Sequence, residues 1–77
     1  MRVIFDVTGN GIFPWDMLRY DECFPYSPEE AAKFQGLDDE DRECTIRLAT
    51  YSPDTAVRPS ARRWATFGWT VTIVNVE

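Results

Sequence analysis

Apolar and polar residues alternate from Arg2 to Val7, with Val3, Phe5 and Val7 on one side and Arg2, Ile4 and Asp6 on the other, which predicts a half-buried strand. Thr8-Gly9-Asn10-Gly11 ends it, because glycine and asparagine accept positive φ at little cost. The period of two returns from Cys44 to Tyr51, where Cys44, Ile46 and Leu48 oppose Thr45, Arg47 and Ala49. Ser52-Pro53-Asp54 closes that second strand with a turn. Trp69 to Glu77 predicts a third strand, rich in Val, Thr and Ile. It is apolar on both sides toward its end, where Val74 and Val76 oppose Val71 and Ile73, a pattern that places it centrally in a sheet.

Between the strands the spacing changes. Phe13-Pro14-Trp15-Asp16-Met17-Leu18-Arg19-Tyr20 fits one or two helical turns, with Pro14 suited to the first helical position and Asp16 to the positive end of the helix. Phe24-Pro25-Tyr26 is extended, since the residue before a proline is pushed out of the α region. Ser27-Pro28-Glu29-Glu30 is a capping-box pattern and predicts a helix from Pro28 to about Gln35, stopped by Gly36. Ala31, Phe34 and Leu37 are its core-facing candidates. Pro59 to Phe67 carries Ala61, Trp64 and Ala65 at helical spacing, with Gly68 where a C-terminal cap belongs. The expected fold is α+β: one domain over residues 1–77, a small three-stranded, mainly antiparallel sheet with two or three short helices packed on one face.

A chain of 77 residues buries a smaller share of its surface than a larger one, so its rings matter. Three Trp, three Tyr and five Phe are available for a core, each able to bury roughly 150–250 Å². Charge is divided unevenly. Residues 16–43 hold ten acids against Arg19, Lys33 and Arg42, a net of −7, whereas residues 44–77 carry +2 and residues 1–15 balance. The acidic half repels phosphate, so neither nucleic acid nor an anionic membrane is expected as a partner, and a basic protein surface is. No segment approaches the ~20 apolar residues that span a bilayer. No secretory leader follows Met1, so the chain reads as cytoplasmic, with Cys23 and Cys44 as reduced, packed thiols.

Catalytic chemistry has few carriers here. The chain has no histidine, which removes the commonest general base and the Ser-His and Cys-His pairs that activate a nucleophile. Two cysteines without a Cys-x-x-Cys spacing fall short of a structural zinc site. Asp38-Asp39-Glu40-Asp41 lacks the alternate spacing and central glycine of a calcium loop, and reads as a solvated loop or an acidic patch for a partner. Gly9-x-Gly11 is a plain turn, without the third glycine or lysine of a phosphate loop. Arg58, Arg62 and Arg63 pair with the protein's own acids, solubilise their helix or hold a small anion. No catalytic residue, metal site or cofactor is expected.

The aromatic connection from Trp15 to Tyr26 either completes the core or presents anchors to a partner, since Trp, Tyr and Arg are the residue types enriched at binding hot spots. Phe13-Pro14-x-Asp16-Met17-Leu18-Arg19-Tyr20-Asp21-x-Cys23-Phe24-Pro25, with the later Arg62-Arg63-Trp64-x-x-Phe67-Gly68-Trp69, resembles small proteins encoded in bacteriophages and prophages. The resemblance implies an accessory protein in a bacterial cytoplasm that binds and inhibits or modulates a host protein, anti-CRISPR proteins being one example. The expected partner-binding residues are Trp15, Asp16, Arg19, Tyr20, Asp38, Asp39, Glu40 and Asp41. The alternative is a small structural or regulatory module, without a host-inhibitor role, that self-associates as a homodimer through Trp69 to Val76 and the aromatic connection.

Overall fold

The alternating segments form strands in the computed structural model of the chain, which describes residues 2–37, 43–51 and 54–77. Within them run β1 (Val3–Gly9), α1 (Asp16–Tyr20), β2 (Cys23–Pro25), α2 (Pro28–Lys33), a 3-10 turn (Phe34–Gly36), β3 (Cys44–Thr50), α3 (Asp54–Thr66) and β4 (Thr70–Val76). The described strands make one antiparallel sheet in the order β2-β3-β1-β4. That is the strand order of the ferredoxin-like split βαβ arrangement, with the first helix reduced to a single turn and an extra short helix inserted before β3.

The register explains the burial. Val3, Phe5 and Val7 stand opposite Thr50, Leu48 and Ile46, and all six are 2 % exposed or less. On the same side Phe13, Met17, Leu37, Val57, Trp64 and Trp69 close over the sheet in one core. Phe13 is its hub: ring centroids of Trp15, Phe34, Trp64 and Trp69 lie 5.0–5.6 Å from it, tilted or edge-on as ring quadrupoles prefer. Gly9 makes this packing feasible, because a Cβ there would meet the Trp69 ring at 2.6 Å. The other side of the sheet carries the charged register pair Asp6 and Arg47, whose Nε lies 2.9 Å from Oδ1.

Four expectations need correction. The sheet has four described strands and not three, because the extended Cys23–Pro25 segment pairs with β3. As an edge strand it tolerates Pro25, which has no N–H to donate. The Val-rich last strand is the opposite edge and not the centre; β1 and β3 are central. A register shift opposite Ile4/Phe5 re-aims the end of β4, and Val74 and Val76 are 43 % and 42 % exposed. The third helix begins at Asp54, so Pro59 lies inside it, at the loss of one backbone hydrogen bond. The second helix stops at Lys33 and tightens into the 3-10 turn, leaving Ala31 exposed while Phe34 and Leu37 face the core as expected. Among the described residues, no helix is long and apolar enough to cross a membrane.

Candidate binding surface

Five residues are too few to hold a helix by themselves, so α1 is shaped by what it packs on. Met17 is buried and Leu18 half-buried against the core. Asp16 in the first turn and Arg19 in the last agree with the helix dipole. The outward side is then Trp15, Asp16, Arg19 and Tyr20, with Trp15 41 % and Tyr20 64 % exposed. Sequence reasoning grouped these four as partner-binding, and the fold brings them onto one turn. The other four predicted positions, Asp38, Asp39, Glu40 and Asp41, lie outside the described residues. Their nearest described neighbour, Leu37, is 2 % exposed and belongs to the core.

Both exposed rings are held in place. Trp15 meets Phe13 at 5.0 Å and Phe34 at 5.2 Å, both edge-on. The Tyr20 ring lies under the Arg63 guanidinium, 4.0 Å from its centroid, a cation–π contact that ties α1 to α3.

Beneath Tyr20 sits a polar knot. Asp21 ends α1, and its side chain is 10 % exposed. Its Oδ2 accepts from Trp64 Nε1 at 2.9 Å and from the Ser60 hydroxyl, while Oδ1 lies 3.9 Å from Arg63 Nη1. The Thr50 hydroxyl donates to the backbone carbonyls of Asp21 and Glu22 at 3.3 and 3.4 Å. Glu22 takes φ 51°, a left-handed conformation that costs a non-glycine residue on the order of 1 kcal/mol. The hydrogen bonds on either side of it hold the chain in that conformation.

These residues line a cleft of about 360 Å³ between the end of α1 and α3, floored by Phe5 and Val57 and rimmed by Tyr20, Asp21, Glu22, Ser60 and Arg63. Asp21 is already bonded from two sides, so Glu22 and Tyr20 are the groups the cleft offers outward. Asp16, Arg19 and Glu22 make no side-chain ion pair among the described residues.

Sequence reasoning missed Asp21, Ser60 and Arg63 as a unit. One signal was present: Ser60 and Trp64 are four apart on a helix, so a hydroxyl and an indole N–H share a face and require an acceptor. The arginines divide, with Arg63 in the knot and Arg58 and Arg62 exposed.

The cysteines are free thiols. Cys23 is opposite Thr50 at one end of β3 and Cys44 opens the other, which separates them by roughly 20 Å, far beyond disulfide reach. Burial, helped by the nearby Asp21 charge, pushes the Cys23 thiol up to about 12.

No family model, no curated protein and no solved structure matches this chain.

Proposed function

We propose that this chain is a protein-binding module whose docking surface is the outward side of α1 with Glu22 and Arg63 beside it, and that the acidic run following Leu37 in the sequence takes part in binding. The observation that carries the reading is a pair of large rings, Trp15 and Tyr20, that are exposed yet held by Phe13, Phe34 and Arg63. A ring fixed in advance loses little freedom on binding, so more of its contact energy appears as affinity. The rings stand among Asp16, Arg19 and Glu22, unpaired among the described residues, which is the composition of an anchor with a polar rim.

The partner's face is basic. Residues 16–43 carry a net of −7, and such a surface draws a cationic one through long-range attraction. With the resemblance to phage-encoded proteins, this makes the partner a bacterial host protein, and a nucleic-acid-binding component of a defence complex has the required charge. Asp38, Asp39, Glu40 and Asp41 would then stand where phosphates ordinarily bind.

Affinity capture from bacterial lysate tests this with three baits: the wild type, Trp15→Ala with Tyr20→Ala, and the acidic run changed to Asn and Gln. A protein held by the wild type, lost to the ring variant and held less strongly by the neutralised one with a shallower salt dependence supports the reading. Equal capture by all three baits contradicts it.

A further inference from the structure

β4 lies at the end of the sheet, and among the described residues no strand pairs with its outer side. Arg2 and Glu77 exchange both backbone hydrogen bonds, at 2.8 and 2.7 Å. In an antiparallel ladder such pairs alternate with pairs whose N–H and C=O groups point away. Val76, opposite Val3, therefore turns its backbone groups outward, and Val71, opposite Val7, does the same beyond the register shift.

The seven residues from Thr70 to Val76 include no charge and no proline, the two devices by which edge strands ordinarily refuse a neighbour. The helix-covered core also runs out at this edge. Val71 and Ile73 are half-buried at its margin, Val74 and Val76 are 43 % and 42 % exposed, and Phe67, just before the strand begins, is 57 % exposed.

We infer that the outer edge of β4 pairs antiparallel with the same edge of a second copy of this chain, about a two-fold axis, so that the two sheets become one. Three features select a second copy. An uncharged strand offers no complement to a charged partner strand, whereas two such strands are compatible with each other, and their half-exposed valines meet across the axis. The stretch from Asp16 to Leu37, in which Asp16, Asp21, Glu22, Glu29 and Glu30 outnumber Arg19 and Lys33, is at the far edge: α1 packs beside β2 and α2 beside β2 and β3, while α3, which carries Arg58, Arg62 and Arg63, packs beside β4. Joining two β4 edges thus keeps the acidic stretches of the two copies apart. The opposite edge cannot accept a strand in the same way, because β2 has three residues, one of them Pro25, and beyond it the Glu30 carboxylate covers the Arg47 N–H. Pairing therefore closes at two copies.

Light scattering on the gel-filtered protein from low micromolar to millimolar concentration tests this. The expected result is a shift from the single-chain 8.9 kDa to twice that mass. Val76→Lys should return the protein to the single-chain mass with unchanged circular dichroism. Hydrogen exchange at the Val71 amide, which should slow as concentration rises, decides the matter if that variant fails to fold. A single-chain mass throughout overturns the inference, and so does a dimer whose Val71 amide exchanges at the same rate at every concentration.

Discussion

Replacing Asp21 by alanine leaves the Ser60 hydroxyl and the Trp64 indole N–H without their acceptor inside the protein. The expected loss is about 3 kcal/mol of stability, and Asp21→Asn, which keeps an acceptor oxygen, should lose less. Urea unfolding of the two variants measures both. Cys23 gives a second test at the same scale. The ordinary thiol value is 9.0 and burial raises this one to about 12. Between those values the unfolded chain has released the proton and the folded chain has kept it, so this contribution is complete below pH 9 and is lost as pH rises toward 12. The folded thiol is also a poor nucleophile at neutral pH. In a thiol-labelling time course the half-buried Cys44 should react first and Cys23 only at the rate of unfolding. Equal rates for both would contradict that placement.

At the scale of elements, Glu30 joins two parts of the chain. Its backbone N–H meets the Ser27 hydroxyl at 3.3 Å, as the capping pattern requires, but its carboxylate reaches the Arg47 N–H at 2.8 Å and Lys33 Nζ at 3.0–3.1 Å. Glu30→Ala strips an acceptor from the β3 backbone just where β2 has ended, and should lower stability by about 1–2 kcal/mol in thermal or urea unfolding. No change in stability would mean that the contact contributes nothing. The same residue shows what could be read from sequence. The local half of its role follows from Ser27 being three residues away; the other half depends on a strand 17 residues away, which local spacing does not encode. Strand positions were legible for β1 and β3 because their alternation survives folding from Phe5 to Val7 and from Thr45 to Leu48, although Ile4 and Ala49, opposite each other on the second side, are buried as well. The place of β4 was not, because Val74 and Val76 together with Val71 and Ile73 look two-sided whether a strand is central or an edge strand that is kinked or paired with another chain. Pro59 pointed to a helix start, yet tertiary packing of Val57 and Trp64 carries α3 back past it. The α1 group was legible because hot-spot residue types clustered in a short connection. The Asp21 knot was not, since its members come from three separate elements.

For the whole molecule, charge and exposed rings are arranged together. Residues 16–43 supply both the −7 and the turn that displays Trp15 and Tyr20, while β4 and α3 form the other flank with little negative charge. This arrangement would let the two proposed surfaces act separately, one toward a basic protein and one toward a second copy. The most direct test of the binding claim is hydrogen exchange on the complex with a captured partner, compared with the free chain. The account predicts slowed exchange confined to the backbone from Trp15 to Glu22 and the acidic segment after Leu37, weakening as salt is added. Slowing confined to the open side of the sheet around Asp6 and Arg47, with Trp15 to Glu22 unchanged, would contradict it.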